Sequence, residues 1–156
     1  MAQRIMVAFD TSENAMRAVA FIARAFPKED EITLFHVLSD PAVLCEMHSP
    51  DFADHFTSQR NGFFVLEEKK KELVQDAMER ARALLAASGF PETGIRLKLE
   101  ARKKGIAKDI LDEAETGYDL IVIGRRGLSP LAEFFIGSVS HKILSASRQV
   151  AVLVVN

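Results

Sequence analysis

Three stretches of the chain are apolar at nearly every position: Ile5 to Phe9, Leu120 to Ile123 and Val150 to Val155. Their β-branched composition is that of strands buried on both faces, which requires a parallel sheet covered by helices. Glu31 to Val37 reads as a further strand, and Ile95 to Glu100 alternates strictly, as a strand with one wetter face near the sheet edge does. Between these runs the period changes to that of a helix. Glu13 to Phe26 places Ala15, Val19, Ile22 and Phe26 on one stripe, and Pro27 ends it. A second helix is expected from about Phe64 to Ser88, with Leu66, Leu73, Val74, Ala77, Ala81 and Leu84 as its apolar face and Gly89 as its stop. Ile106 to Thr116, closed by Gly117, and Gly137 to Ser147 supply the last two. The order β-α-β-α-β-α-β-α-β predicts an α/β fold: an open, doubly wound, five-stranded parallel sheet with helices on both faces. In such sheets ligands sit outside the carboxyl ends of the strands where strand order reverses, so function is expected after Phe9, Val37 and Ile123.

At 156 residues and 48% hydrophobic, the chain has apolar material for one core, and we expect a single domain over 1–156. Residues 38–63, with Pro41, Pro50 and Gly62, exceed the usual connection in such folds and are expected to form an irregular insertion. The net charge is −2 and the pI about 6.1, which argues against coating nucleic acid, so any anion site must be local. Cys45 is the single cysteine; no intramolecular disulfide can form, and a reducing cytoplasm fits best. No run approaches the ~18 to 20 apolar residues of a membrane span. Met1 to Arg4 lead directly into a predicted strand rather than into a signal sequence.

Three of the eight glycines fall between positions 124 and 137, directly after a predicted buried strand: Gly124-Arg125-Arg126-Gly127, nine residues, then Gly137-Ser138. Glycine at a strand's carboxyl end allows a positive φ or lets a phosphate approach the backbone. Gly137-Ser138 opens a helix whose first N–H groups lack intrahelical partners and whose dipole favours an anion, and the Ser138 and Ser140 hydroxyls can add donors. Each glycine alone is an ordinary turn or cap, but the combination reads as two walls of a phosphate pocket. The spacing is neither that of a Walker A loop nor the Gly-x-Gly-x-x-Gly dinucleotide fingerprint.

Gly-x2-Gly-x9-Gly-Ser after a strand resembles the nucleotide-binding signature of the universal stress protein (UspA-like) family, and the resemblance covers nearly the whole chain. Ile5 to Ser12 is similar to the family's opening strand and Asp-x-Ser turn, Leu34 to Val37 to its second strand, and Gly137 to Ser140 with Val150 to Val155 to its last helix start and strand. The resemblance is to the ATP-binding branch. It implies a Rossmann-like sheet of the adenine nucleotide alpha hydrolase-like kind, ATP or ADP at the switch point, and homodimers paired through the C-terminal strand 150–155. It places Asp10 near the ribose and phosphates as a candidate Mg²⁺ ligand, Val37 at the adenine edge, and Gly124, Gly127, Gly137, Ser138 and Val139 at the phosphates and ribose. For Asp10 a second reading stands beside this one: capping the first helix together with Thr11 or Ser12. Arg125 and Arg126 depart from the small or imidazole residues of many relatives; they either clamp a phosphate or are solvated loop charges.

Cys45, His48, Asp51, Asp54 and His55 are all zinc-ligand types, but their spacing matches no finger pattern, and a solvated insertion is the preferred reading. His36 is read as a hydrogen-bonded core histidine, and His141 as lying on the outer or interface side of the last helix. No catalytic base is evident, and beyond Asp10 and the two arginines the sequence names no candidate for the groups that phosphoryl transfer needs around a Mg²⁺ ion. The function expected is that of a nucleotide-binding stress or signalling protein, at most a slow ATPase, acting with neither nucleic acid nor membrane. A nucleotide-free dimeric module and an adenine-nucleotide-hydrolysing enzyme are the alternatives.

Overall fold

The three apolar runs occupy the middle and one side of a five-stranded parallel sheet. Its strands are β1 (Arg4–Ala8), β2 (Glu31–Leu38), β3 (Ile95–Ala101), β4 (Leu120–Gly124) and β5 (Ala151–Val155), in the spatial order β3-β2-β1-β4-β5. The description covers residues 1–38, 53–126 and 136–156 of the computed structural model, and of residues 53–61, 63 and 64 the backbone alone. Four helices lie among these residues: α1 (Glu13–Ala25), α2 (Ala53–Ala87), α3 (Ile106–Ala114) and α4 (Ser138–Ala146).

The sheet separates two apolar layers. Ile5, Val7, Ile32, Leu34 and Val122 pack with α1 and α2, whereas Met6, Phe35, Ile121 and Ile123 pack with α3 and α4. This period-two division within unbroken apolar runs is why those runs carry no polar face. Strand β1 pairs with β2 (Ile5 beside Ile32) and with β4 (Ile5 beside Leu120). The chain therefore winds outward through β2 and β3, then returns to the other side of β1. The sheet's reversal point lies between β1 and β4.

Helix α1 starts where the Ser12 hydroxyl accepts the Ala15 N–H at 3.2 Å, and it stops just before Pro27. Helix α2 differs from expectation in two ways. It begins at Ala53, not near Phe64, so part of the stretch expected to be irregular is helical. Its buried stripe is Val74, Ala77, Met78, Ala81 and Leu85, while Leu66 and Leu73 are exposed. Among the residues of α2 whose side chains are described, the buried ones all fall between Val74 and Leu85. Gly89, with φ +100°, closes α2 as a left-handed glycine. No helix among the described residues is long and apolar enough to cross a membrane.

Candidate functional site

A cleft of about 350 Å³ opens at the carboxyl ends of β1 and β4. Its floor follows from unequal strand lengths. Strand β1 ends at Ala8 beside Phe35, and the Phe9 N–H still reaches the Phe35 carbonyl at 2.8 Å, but β2 runs on to Leu38. The Leu38 carbonyl accepts the Arg102 N–H on the β3 side. Alternation along a strand then turns the N–H and C=O of Val37 toward the β1 side, past the point where β1 has ended. A continuing ladder would pair Val37 N–H with the Phe9 carbonyl; instead that carbonyl receives His36 Nδ1 at 2.8 Å. Because a carbonyl only accepts, Nδ1 carries the proton. The sheet thus presents one adjacent donor and acceptor to the cleft, with no backbone partner among the described residues.

Apolar walls rise beside this edge. Phe35 and Ile123 come from the sheet, and Ile106 and Ile110 from α3. The turn before α3 is held by Asp109, a buried carboxylate that accepts the backbone N–H groups of Lys103 (2.8 Å), Lys104 (2.9 Å) and Gly105 (3.4 Å). Gly105 sits at φ +132°, a conformation strained for any side chain. Burial pushes the Asp109 carboxyl up, but the three N–H groups outweigh it and hold it below its ordinary value.

The polar end of the cleft is formed by Asp10, Ser12 and the start of α4. Asp10 Oδ1 accepts the Ser12 N–H at 2.8 Å, while Ser12 itself caps α1. Of the two readings of Asp10, the capping role falls to Ser12, and the half-buried Asp10 carboxylate lines the cleft. Helix α4 begins with Gly137 as its N-cap and no capping side chain, so the leading N–H groups of Ser138, Val139 and Ser140 lie at its positive end. The Gly137 N–H donates to the Arg125 carbonyl at 2.9 Å, which ties the helix start to the end of β4. Ser140 is buried, and its hydroxyl donates to the Gly124 carbonyl at 2.9 Å. Its single proton is therefore engaged, leaving the exposed Ser138 hydroxyl as the donor at this end.

The cleft brings together Asp10, Val37, Gly124, Arg126, Gly137, Ser138, Val139 and Ser140. Arg125 lines an adjoining cavity instead, and Gly127 lies outside the described residues. Gly124 does not adopt a positive φ; its lack of a side chain instead allows the first turn of α1 to approach. Cys45, His48 and Asp51 also lie outside the described residues, and of Asp54 and His55 only the backbone is described. Among the described residues no group of three or more His, Cys, Asp or Glu side chains could hold a metal ion. The α3 wall, Ile106 and Ile110, escaped the sequence reading, which looked after three strand ends and passed over the fourth. Gly105, directly before an amphipathic helix, was the signal available there.

The chain belongs to the universal stress protein family, whose sequence model matches residues 1–156. It is 29% identical over 157 residues to universal stress protein YxiE of Bacillus subtilis, covering 94% of this chain and 95% of that one. A universal stress protein of Mycolicibacterium smegmatis is 28% identical over 141 residues, 90% of this chain, but the match spans only 44% of that longer relative. Among solved structures, universal stress protein UspA of Lactobacillus plantarum superposes with a TM-score of 0.72 at 21% identity, covering 99% of this chain and 97% of that one. A universal stress protein in complex with cAMP superposes with a TM-score of 0.60 at 19% identity, covering 99% and 97% of the two chains. These likenesses carry the Rossmann-like parallel fold.

Proposed function

We propose that the cleft binds an adenine nucleotide, ATP or ADP, and that the protein acts by nucleotide-dependent signalling in a stress response, with hydrolysis at most slow. One observation carries this reading: the unpaired edge of Val37 and the uncapped start of α4 line one cleft with apolar walls. Adenine offers an adjacent acceptor and donor, N1 and the 6-amino group, complementary to the N–H and C=O of Val37. Ile106, Ile110 and Ile123 suit the faces of a base, and the N–H groups of Ser138 and Val139 suit phosphate. A volume of about 350 Å³ falls within the range of small-ligand sites. The relative in complex with cAMP is in keeping with an adenine ligand.

Asp10 is a fitting Mg²⁺ ligand. Its Oδ1 is held by Ser12, which orients the carboxylate, and one carboxylate oxygen with phosphate and water oxygens completes the usual shell of that ion. Among the described lining residues Asp10 is the one carboxylate, and His36, whose Nδ1–H is given to the Phe9 carbonyl, keeps Nε2 as an acceptor. A single carboxylate is in keeping with nucleotide binding and at most slow hydrolysis. We read residues 1–156 as one domain. A cytoplasmic setting suits its single cysteine, Cys45.

Calorimetric titration of ligand-stripped protein with ATP, ADP, AMP and cAMP, with and without Mg²⁺, tests the reading. Saturable binding of at least one of them is expected, weakened by Gly137→Val, which places a branched side chain at the helix start. Absence of heat with all four would sink it.

A further inference from the structure

A second cavity of about 290 Å³ adjoins the cleft on the α1 side, just beyond the carboxyl end of β4. It is lined by Glu13, Asn14 and Arg17 from the first turns of α1, by Arg125 and Arg126 from the segment after β4, and by Asn156 after β5. Arg126 lines both cavities, so the two share a wall. Three guanidinium groups meet one side-chain carboxylate here, in a chain whose net charge is −2. Arg125 is held on a fixed platform: its N–H donates to the Val155 carbonyl at 2.8 Å, and its carbonyl accepts the Gly137 N–H at 2.9 Å. Arg17 pairs with Glu13 at 3.6 Å, and both side chains are well exposed, so this contact is weak and exchangeable for a stronger anion. The three guanidinium groups of the lining suit an anion. Guanidinium forks match phosphate oxygens bidentately.

We propose that this cavity is a subsite for a phosphate chain, with Arg17 and Arg125 clamping the distal phosphates of a nucleotide seated in the cleft, or a free inorganic polyphosphate. The nucleotide arm of the proposal rests on the reading of the cleft above. It gives the protein a preference that rises with phosphate number, and it assigns Arg125 a role distinct from that of the glycine loop. The charge of the cavity, not its shape, sets that preference, so added salt narrows the difference between ATP and AMP.

The test is titration of the full chain with AMP, ATP and inorganic tripolyphosphate, in wild type and in the double variant Arg17→Gln, Arg125→Gln, with thermal melting to verify folding. The double variant is expected to lose about ten-fold in ATP affinity, as two charge-assisted contacts imply, while AMP affinity stays within about two-fold. The pair Arg17→Lys, Arg125→Lys should fall between, since charge is kept and the fork is lost. Equal weakening of AMP and ATP, or no weakening of either, overturns the subsite and leaves the cleft reading standing. If no adenine nucleotide binds but tripolyphosphate does, and the double variant abolishes it, the subsite stands and the cleft reading fails. Absence of binding by all three probes overturns both. Should the double variant fail to fold, the Arg125→Gln single variant carries the same comparison.

Discussion

A Cβ at Gly124 would lie 2.8 Å from the Cβ of Asn14 and 3.0 Å from its carbonyl carbon, so the start of α1 and the end of β4 touch backbone to backbone. The atoms in the way belong to a helix, not to the far end of a flexible side chain, and relief requires shifting α1. Gly124→Ala should therefore cost about 1–3 kcal/mol of stability, or roughly 2–4 °C in melting temperature per kcal/mol for a domain this size. Gly137 contrasts with it: at φ −58° and ψ 152° it occupies backbone open to any residue. Gly137→Ala should cost under about 1 kcal/mol, the penalty of a poorer N-cap, yet reduce nucleotide affinity. Thermal melts and titrations of both variants check this. Equal destabilisation by the two would contradict the separate roles given to these glycines.

Asp109 links stability to pH on the acid side. Its carboxyl is held below the ordinary value of 3.8 by the N–H groups of Lys103, Lys104 and Gly105, against the upward push of burial. In the pH range between the folded and unfolded values the unfolded chain binds more protons. The contribution is therefore fully present above about pH 4 and lost as pH falls through the folded value. Asp109→Asn should cost about 1–3 kcal/mol at pH 7, because one amide oxygen cannot serve three donors. The gap between wild type and variant should shrink as pH falls below 4. Urea denaturation at pH 7, 5, 4 and 3 measures it, and a gap independent of pH would refute the assignment. Since Asp109 shapes the turn before Ile106 and Ile110, the variant should also weaken any base seated against them.

Much of this architecture was legible because its signals are local. Runs such as Ile5 to Phe9 record double-sided burial directly, and Ser12 and Pro27 mark the ends of α1 by their own chemistry. The face of α2 was only partly legible, because Leu66 and Leu73 fit a helical apolar stripe in sequence yet face solvent, and only packing shows that the buried stripe runs from Val74 to Leu85. The same holds for the division of labour in the cleft. Spacing grouped Gly124 with Gly137, but only three-dimensional placement shows that Asn14 makes the first glycine necessary. Likewise, Ser140 resembles a phosphate donor in sequence, and its engagement with the Gly124 carbonyl depends on how α4 returns over β4. The edge offered by Val37 was beyond sequence altogether, since it arises from β2 outlasting β1.

Asp10 separates the metal from the turn. Asp10→Asn keeps an oxygen that can accept the Ser12 N–H, so the turn should persist and the melting temperature should change by no more than about 2 °C. The charge, however, is lost. If Asp10 holds Mg²⁺ against the phosphates, adding Mg²⁺ should strengthen ATP binding to wild type and have little effect on the variant. AMP without metal should bind both proteins alike. Mg²⁺ strengthening ATP equally in the two would remove Asp10 from the metal site while leaving the cleft intact.

The two edges of the sheet differ in a way that bears on assembly. Strand β3 carries Arg96, tied to Glu31 at 3.2 Å, Lys98, tied to Glu113 at 2.8 Å, and Glu100, and such charges discourage another strand from pairing there. Strand β5 bears only apolar side chains, with Val152, Leu153 and Val154 half-buried. The Ala151 N–H donates to the Asp119 carbonyl and the Val155 carbonyl accepts the Arg125 N–H, so those residues face β4. By alternation the N–H and C=O groups of Val152 and Val154 point outward from the edge, available to a second copy. We therefore expect a homodimer through β5. Val152→Pro removes an outward donor without touching the β4 ladder, whereas Val152→Thr keeps that donor and nearly the same side-chain volume. Light scattering at micromolar concentration should give twice the 17.3 kDa chain mass for wild type and Val152→Thr, and the chain mass itself for Val152→Pro. A wild-type monomer, or a proline variant that remains dimeric, would move the interface away from this strand.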